Sequence, residues 1–358
     1  MCLHHRNPLH CILPPYMSKK LNEASGITEK KDVGELFRLK RKVLARIAPA
    51  KKKGKMAVAG SKVATKLYRE VYDAHQLPLT LGSLIWKEGQ PLPKDKDAKN
   101  VIEGSGATWH FYKKLFNRNS LDNNGLPLIQ TIRYREHPQE PFYNAFWDGE
   151  QMFYGTGLAK FTNSFTSDID IIAHELTHGV IDFEAQLEYE FQSGALNESF
   201  ADVFGILVKQ WATHTPAHKS DWLIGKNILK GRNALRSLKA PGTAYQNDPI
   251  FGDDPQPATM QHYQKLKNTE DDDYGGVHIN SGIPNYAFYR TAIELKGNAW
   301  EKAGAIWYAA LCDQKLLKKN ASFEDACHAT LKKAALLFKK GSIELKAVET
   351  GWKAAGVL

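Results

Sequence analysis

The feature that most limits how this chain can fold is a pair of histidines four residues apart in an otherwise apolar stretch, His174-Glu-Leu-Thr-His178. The surrounding residues 169–184 have helical spacing, and residues four apart lie on the same face of a helix. Two imidazoles at that spacing can bind one Zn²⁺, and Glu175 beside them can act on a water molecule there. Taken alone, the pentapeptide also fits a helix with two solvated or core histidines.

A catalytic zinc ion needs a third protein ligand, and the predicted helix at 194–211 supplies a candidate in Glu198. Asp202 is four residues further on, so it shares that face and can accept the second N–H of a ligand histidine. An ordinary acidic helix face is the alternative, but the neighbouring side chains predict burial, and buried carboxylates need partners. The same burial argues against glycosylation of the sequon Asn197-Glu-Ser. The apolar neighbours of Glu198 and Asp202 on this helix are Ala195, Leu196, Phe200, Val203 and Phe204.

A third polar segment, Asp273-Tyr-Gly-Gly-Val-His278, is predicted to be a glycine-rich turn before a helix that begins at Pro284. A histidine in a loop with a carboxylate nearby can stabilise charge at a transition state. Without the other two segments, a surface turn would be the better interpretation.

The composition is that of a folded, soluble protein of about two domains, with 358 residues, 42% hydrophobic and 24% charged. Disorder throughout the chain is therefore excluded. No apolar stretch approaches the roughly 18 residues of a membrane span, and residues 1–16 lack the apolar core of a secretory signal. We expect a monomer that is either intracellular or exported by an unconventional route.

The net charge of +9 is concentrated in residues 1–60, where 14 Lys or Arg accompany 4 Asp or Glu. This segment carries +10, so the rest of the chain carries −1 and lacks the basic face of a nucleic-acid-binding domain. We expect no nucleic-acid partner, although the lysines at 51–55 leave a localisation or heparin-type patch as an alternative.

The cysteines form no CxxC pair and predict no disulfide framework; they are Cys2, Cys11, Cys312 and Cys327.

The spacing of apolar residues predicts an α+β protein with a strand-rich N-terminal half and a helical C-terminal half. Strands are predicted at 126–134 and within 142–154. Binding sites favour the cleft between two such halves. The predicted helices span 33–47, 63–74, 108–117, 169–184, 194–211, 284–295, 300–319, 322–339 and 342–355.

Three segments, in this order, resemble the thermolysin-like metallopeptidases: the pentapeptide at 174–178, Gly194-Ala-Leu-Asn-Glu-Ser-Phe-Ala-Asp202, and Gly275-Gly-Val-His-Ile-Asn-Ser-Gly282. Asn144-Ala-Phe-Trp-Asp-Gly149 and residues 117–125 resemble that family's substrate strand and the hairpin before it. The resemblance extends from about residue 65 to the C-terminus. It implies a two-domain fold with zinc in the cleft, an N-terminal catalytic domain at 59–184 and a helical catalytic domain at 185–358.

The resemblance implies a zinc-dependent metalloendopeptidase with one zinc ion bound by His174, His178 and Glu198. Glu175 would polarise the attacking water and pass its proton to the leaving amine. Tyr189 and His278 would stabilise the oxyanion. The supporting residues would be Asn197, Asp202, which would orient His174, and Asp273, which would orient His278.

The resemblance also implies where a peptide or protein substrate binds. Asn144 and Ala145 would hold its extended backbone by strand addition, with Trp147 on the same strand. Arg236 would reach a substrate carbonyl. The bulky apolar residue just after the scissile bond would enter a pocket formed by Phe165, Ile171, Ile224 and Leu235.

The main departure from the family concerns calcium. At positions matching the family's paired calcium site, Asp170 and Asp221 are retained, whereas Lys209, Leu223 and Lys226 replace carboxylates. A lysine ammonium cannot ligate Ca²⁺ and repels it. We therefore expect weak or absent calcium binding at this site.

Residues 1–58 are expected to be a propeptide that inhibits the enzyme intramolecularly, because Pro14-Pro15-Tyr16 resembles the short leader of the protealysin-like subgroup. Cys11 lies three residues before this motif, and its thiolate could ligate zinc in the precursor. The alternative is that Ile12, Leu13 and the tyrosine only pack on the body.

The sequence therefore favours a zinc endopeptidase made as a self-inhibited precursor, with a mature N-terminus between about 50 and 62. A catalytically silent zinc-binding protein that works through interactions is the main alternative. A third interpretation is a protein that binds nucleic acid through the leader. The intact Glu175 and His278 argue against the silent protein, because binding alone needs neither residue.

Overall fold

The computed structural model describes residues 10–27, 66–136 and 140–358. In these ranges a mixed β-sheet packs against a group of helices, which is the predicted α+β arrangement. The predicted helix at 33–47, the lysines at 51–55 and the leader boundary near 58 lie outside the described residues. None of the described helices is both long and apolar enough to cross a membrane.

Within the described chain the main sheet has six strands, in the order β1-β5-β6-β4-β2-β3. β4 runs parallel to both of its neighbours, and the other pairs are antiparallel. A second sheet pairs β7 (Leu223–Ile224) with β8 (Arg236–Ser237). The strands of the main sheet are β1 (His10–Cys11), β2 (Arg69–Asp73), β3 (Ser83–Lys87), β4 (Leu128–Ile132), β5 (Ala145–Trp147) and β6 (Met152–Tyr154).

Several helix ends carry ordinary capping signals. The Asp95 side chain caps the first turn of α2, and Ser322 and Asp325 form a capping box at the start of α8. Pro15 stands in the first turn of α1, where a proline loses no helical hydrogen bond. The helices are α1 (Pro15–Ser25), α2 (Lys96–Phe116), α3 (Ile169–Phe183), α4 (Phe191–Ala212), α5 (Asp273–Asn280), α6 (Gly282–Leu295), α7 (Lys302–Leu311), α8 (Phe323–Phe338) and α9 (Ile343–Ala354).

Helices α3 and α4 pack closely against each other, and this contact positions the polar motifs. Gly205 of α4 permits the approach, because a Cβ there would lie 2.7 Å from the carbonyl oxygen of Asp170. On the sheet side of α3, a Cβ at Gly179 would lie 3.3 Å from the indole of Trp147. α3 is thus held between β5 and α4, and most of its residues are buried.

Several elements differ from those predicted. Residues 69–73 form β2 rather than the end of a helix, because pairing with β3 and β4 on both sides overrides the local helical spacing. The helix predicted at 300–319 ends at Leu311, where the Asp313 carboxylate accepts the backbone N–H of Lys315 and turns the chain. Helix α1, which begins at Pro15 within the Pro14-Pro15-Tyr16 motif, was not predicted.

Candidate active site

The two motif histidines of α3 and Glu198 of α4 meet inside the protein. His174 Nε2 lies 3.0 Å from His178 Nε2, and each of these nitrogens is 3.5 Å from an oxygen of Glu198. All three residues are fully buried, and one ligand atom from each lies within 4.8 Å of the others. No other cluster of metal-ligating side chains of this kind occurs in the described ranges.

These three residues fit a zinc ion. Two imidazoles and one carboxylate form the His₂Glu donor set of catalytic zinc sites. The two Nε2 atoms face each other, so a cation between them would replace an unfavourable approach of two lone pairs. Glu198 Oε2 has no hydrogen bond of normal geometry within the described chain, which leaves it available to a metal.

Each ligand histidine is oriented through its second ring nitrogen. Asp202 Oδ1 lies 2.9 Å from His174 Nδ1, and Asn197 Oδ1 lies 2.9 Å from His178 Nδ1. His178 Nδ1 is hydrogen-bonded to Asn197, whereas His174 Nδ1 is paired with Asp202 by charge, without hydrogen-bond geometry. When Nδ1 carries the proton, Nε2 is left to bind the metal. Asp202 and Asn197 thus stand directly behind the two histidines.

Asp202 is itself held by a buried cation. Arg236 donates through Nε and Nη2 to the two oxygens of Asp202, at 2.9 and 2.8 Å, and Asn285 donates to Oδ2 at 2.9 Å. Burial would raise the pKa of Asp202, but Arg236 and His174 hold it below its usual value. Burial would likewise lower the pKa of His174, but Asp202 and Glu198 raise it to about 9. The pocket therefore favours positive charge, which a zinc ion would supply.

Glu175 is fully buried beside the ligand histidines. Neither of its carboxylate oxygens has a hydrogen bond of normal geometry within the described residues. Burial raises the pKa of this carboxyl group well above its usual value. A buried carboxyl group with a raised pKa beside a metal site is suited to proton transfer near neutral pH.

A second group of side chains contacts Glu198. The Tyr189 hydroxyl donates to Glu198 Oε1 at 2.5 Å and lies 3.2 Å from His278 Nε2. His278 Nδ1 lies 2.6 Å from Asp273 Oδ1, so Asp273 orients this imidazole. Burial would lower the pKa of His278, but Glu198 and Asp273 raise it. A protonated His278 can donate from both ring nitrogens.

His278 lies in the short helix α5 rather than in the predicted turn. The first part of α5 is distorted, since Tyr274, Gly275 and Gly276 have left-handed backbone angles. This distortion brings Asp273 back toward the helix, where its Oδ2 accepts the backbone N–H of His278 at 2.8 Å. Gly275 is required by its positive φ and by packing, because a Cβ there would clash with the Phe191 ring.

The leader contacts the side chains of His278 and Arg236 through its backbone carbonyls at residues 11 and 12. The Cys11 carbonyl oxygen lies 2.8 Å from His278 Nε2. Arg236 Nη1 donates to the carbonyl oxygen of Ile12 at 2.9 Å. The cationic side chains of the site thus bind two successive carbonyls of the leader.

The leader also pairs with the strand that was predicted to bind substrate. The N–H of Ile12 donates to the Ala145 carbonyl at 3.3 Å. The Asn144 side chain accepts the N–H of Leu13 at 3.0 Å and donates to the Leu13 carbonyl at 3.1 Å. This is strand addition by the leader to β5, the strand predicted to bind substrate.

Ile12 and Leu13 are buried in the main apolar core, to which the residues predicted to form the substrate pocket also belong. Gly225 allows this pocket to close, since a Cβ there would lie 2.7 Å from Leu235 and 3.2 Å from Ile171. The pocket residues in this cluster are Phe165, Ile171, Ile224 and Leu235.

The hypothesis that the Cys11 thiolate ligates zinc is wrong for this structure. β1 pairs Cys11 with Phe146, and paired residues project from the same face of a sheet. That face carries a separate apolar cluster, and Cys11 packs against it, whereas Ala145 and Trp147 belong to the main core. The thiol is absent from the ligand cluster, and burial raises its pKa well above the usual value. The cluster consists of Ala74, Tyr134, Phe146 and Phe153.

Trp147 lies on β5, as expected, and its side chain makes contacts that were not predicted. Its indole Nε1 donates to Asp182 at 3.2 Å, and its ring lies against Gly179 of α3. The side chain therefore supports the zinc-site helix from the sheet side. The backbone of Trp147 meets the leader through its pairing with His10.

Two features of the site were not predicted. Asn285 is fully buried and holds Asp202; a polar side chain within the apolar pattern of α6 was the available signal. Helix α1 anchors the leader through buried Met17 and Leu21, whose i,i+4 spacing after a proline was its signal. Two polar contacts add to this anchor: Lys20 donates to the Phe251 carbonyl at 2.6 Å, and the Tyr16 and Tyr245 hydroxyls lie 3.1 Å apart.

A buried His₂Glu site, with a glutamate beside it and an edge strand that binds extended backbone, defines a zinc metallopeptidase of mixed α and β structure. Comparison with known families agrees. A family model described as the catalytic domain of thermolysin metallopeptidase matches residues 50–182, and one described as its alpha-helical domain matches residues 185–357. The chain belongs to the thermolysin family of metallopeptidases, and the prediction of a zinc metalloendopeptidase is confirmed.

Individual relatives agree with this assignment. An extracellular metalloprotease of Pectobacterium carotovorum subsp. carotovorum is 46% identical over 292 residues, which cover 81% of each chain. Protease PrtS of Photorhabdus sp. (strain Az29) is 45% identical over 298 residues, covering 82% of this chain and 78% of that protein. The solved precursor of protealysin from Serratia proteamaculans matches with a TM-score of 0.81 and 40% identity, covering 98% of this chain and 100% of that one. The protealysin-like fold prediction is therefore confirmed.

Proposed function

We propose that this chain is the self-inhibited precursor of a zinc endopeptidase, with its leader in the substrate-binding cleft. The observation that carries this proposal is the set of hydrogen bonds to the leader backbone at residues 11–13. Their partners are four residues expected to bind substrate or its transition state, and a leader that uses these bonds excludes a substrate from them. Similarity to a protealysin precursor supports the proposal. The four residues are Asn144, Ala145, Arg236 and His278.

In the proposed mechanism the chain binds the substrate backbone and moves one proton. When bound by its three ligands, zinc would supply Lewis-acid chemistry, polarising a carbonyl and lowering the pKa of water. Glu175 would take the proton of the attacking water and return it to the leaving amine. His278 and Tyr189 would donate hydrogen bonds to the carbonyl oxygen as negative charge develops on it.

The proposed specificity follows from the apolar cluster that contains Ile12. Arg236 would hold the carbonyl of the residue after the scissile bond, as it holds that of Ile12. The side chain of that residue would then enter the pocket of Phe165, Ile171, Ile224 and Leu235. An aliphatic or aromatic residue at this position gains from burial, whereas a charged one would have no partner there.

We propose further that residues 1–58 are the propeptide, 59–184 the N-terminal catalytic domain and 185–358 the helical catalytic domain. The mature enzyme would act as a monomer on peptides and proteins. The name of the relative from Pectobacterium, an extracellular metalloprotease, favours export of this protein over an intracellular role.

Replacing Ile12 by aspartate should release the latency of the precursor. A carboxylate in this apolar cluster would lose its hydration without gaining a partner, which costs several kcal/mol, so the leader should leave the cleft. The measurement is the initial rate at which the unprocessed, zinc-loaded protein cleaves a quenched peptide with leucine after the scissile bond. Intact mass verifies that the leader is still attached.

The matched control is Lys19→Asp, which adds the same carboxylate to an exposed position of α1. This variant should remain as latent as the wild type. If Ile12→Asp is equally latent, inhibition by the leader in the cleft is contradicted.

We propose that a lysine replaces calcium at the position of the family's paired site. Lys209 Nζ lies 2.9 Å from Asp170 Oδ2, 3.4 Å from Asp221 Oδ1 and 3.0 Å from the Leu223 carbonyl. Millimolar CaCl₂ should therefore leave the melting temperature unchanged, as should EGTA. A site filled at 100 times its dissociation constant would add about 2.7 kcal/mol of stability. A rise of many degrees with calcium would contradict the proposal.

Replacing Lys209 by methionine should destabilise the protein more at pH 8 than at pH 5. Burial raises the pKa of Asp170 to about 6 even though Lys209 opposes the shift, and removing the lysine would raise it further. A raised pKa means that the folded state binds more protons than the unfolded chain, so stability falls as pH rises through that range. At pH 8 the unpaired buried carboxylate should cost about 3–5 kcal/mol in urea unfolding.

The control for this experiment is Lys226→Met, which removes an exposed cation from the same acidic group, 3.3 Å from Asp221. It should change the free energy of unfolding by less than about 1 kcal/mol at either pH. A loss in Lys209→Met that is the same at both pH values would show that Asp170 does not titrate as expected.

A further inference from the structure

The contacts of the leader determine which of its peptide bonds faces the catalytic groups. The carbonyl of Cys11 is bonded to His278 Nε2, and that nitrogen lies 3.2 Å from the Tyr189 hydroxyl and 3.6 Å from Glu198 Oε2. The next carbonyl, of Ile12, is held by Arg236 instead. The carbonyl beside the zinc-site residues is therefore that of Cys11.

The position of the leader along the edge strand is set independently. β1 runs antiparallel to β5 with Cys11 opposite Phe146. The N–H of Ile12 donates to Ala145, and Asn144 bonds both backbone groups of Leu13. A slip by one residue would turn every side chain to the opposite face and remove Ile12 from the main core, so this alignment is strongly specified.

Resting on the proposed function, we propose that the leader is bound as a substrate whose Cys11–Ile12 peptide bond is presented to Glu175 and His278, and that this bond is the first to be cut. The oxygen of water would bond to the carbonyl carbon of Cys11 while its proton passes to Glu175. The bond from that carbon to the nitrogen of Ile12 would break, and the nitrogen would take the proton. The products are a carboxylate at Cys11 and a new amino terminus at Ile12.

This cut would not by itself end inhibition. Residues 1–11 would leave, but the rest of the leader would stay anchored by α1, through buried Met17 and Leu21 and the contacts of Lys20 and Tyr16. Arg236 and Asn144 would continue to hold Ile12 and Leu13 in the cleft. Maturation then has two steps, and activity would appear only after the second, which removes α1.

The first arm of the test follows the Cys11 carbonyl by NMR in full-length Glu175→Gln protein, in which cleavage should be roughly 10²–10⁴-fold slower. Cys11–Ile12 is the one Cys-Ile pair in the sequence, so labelling with [1-¹³C]Cys and [¹⁵N]Ile isolates this bond. Adding one equivalent of Zn²⁺ should shift the Cys11 carbonyl resonance, because this oxygen lies beside the ligand cluster. Mg²⁺, which prefers oxygen ligands, should not.

The matched control is the next carbonyl along the leader. Labelling with [1-¹³C]Ile and [¹⁵N]Leu reports on Ile12–Leu13 together with two other Ile-Leu pairs, at 206–207 and 228–229. The variant Ile12→Val identifies the leader signal by its disappearance. Zn²⁺ should shift the Ile12 carbonyl less than that of Cys11, because Arg236 holds it away from the ligands.

The second arm follows the wild-type full chain after zinc is added, by intact mass and N-terminal sequencing. The first product should begin at Ile12 and should form roughly 10²–10⁴-fold more slowly in Glu175→Gln. An unmoved Cys11 carbonyl, a larger shift at Ile12, or a first product with another N-terminus overturns the inference. If the fully processed enzyme still hydrolyses peptides in that case, the proposed function stands; if it hydrolyses none, the proposed function fails as well.

Discussion

Replacing Glu175 by glutamine is expected to lower peptide hydrolysis by roughly 10²–10⁴-fold, the usual contribution of a general acid–base residue. Glutamine nearly matches glutamate in shape but cannot accept the proton of the attacking water. The melting temperature should not fall, because the Glu175 carboxyl is fully buried without a hydrogen bond of normal geometry in the described chain. The measurement compares kcat of both proteins after a second protease has removed the leader.

The control is Glu150→Gln, which makes the same change at an exposed position. It should mature and hydrolyse peptides like the wild type. If Glu175→Gln keeps more than about a tenth of wild-type kcat, another group moves the proton. If its melting temperature falls by many degrees, Glu175 has a structural role that these contacts do not reveal.

Arg236→Ala is expected to lower the free energy of unfolding by about 3–5 kcal/mol, the usual cost of leaving one partner of a buried ion pair alone. Arg236 makes two hydrogen bonds to Asp202, which in turn orients His174. The measurement is urea unfolding of the full chain at a fixed zinc concentration, because bound metal adds its own stabilisation. The loss of stability in Arg236→Lys should be smaller than in Arg236→Ala but larger than zero, since lysine keeps the charge but not the two-point contact.

Lys99→Ala is the matched control, because Lys99 and Glu103 form an exposed ion pair 3.7 Å apart on α2. Its loss should cost less than about 1 kcal/mol. If Arg236→Ala costs no more than Lys99→Ala, the buried pair contributes nothing beyond its desolvation cost. In the double variant Asp202→Asn/Arg236→Ala, the loss in free energy of unfolding should be smaller than for Arg236→Ala alone, since no buried carboxylate remains unpaired.

The residues of the zinc site were predictable from the sequence because helical spacing is a local property. His174 and His178, like Glu198 and Asp202, share a helix face wherever the two helices lie. The apolar residues around Glu198 required partners for its charge, and the two pairs do meet, with the histidine nitrogens 3.5 Å from the glutamate oxygens. Family resemblance then supplied Tyr189, Arg236 and Asn144, which lie far apart in the sequence.

Two of the predictions that were wrong depended on pairing between distant segments. Residues 69–73 have helical spacing, but neighbours on both sides make them a strand. Cys11 is close to the motif that marks the leader, and a thiolate is a good zinc ligand. Its alignment with Phe146, 135 residues away, turns the thiol to the other face of the sheet and leaves its carbonyl at the site.

The metal donors and the glutamate between the two histidines could be read from the sequence, because each pair of polar residues lies on one helix face. Lys209, which we propose takes the place of calcium, was identified through the resemblance to the family. Only the folded structure shows which contacts each leader residue makes. One residue along a strand moves a side chain to the opposite face, and only the alignment of β1 on β5 determines that choice. That alignment is set by hydrogen bonds to Asn144 and Arg236, more than 130 and 220 residues away in sequence.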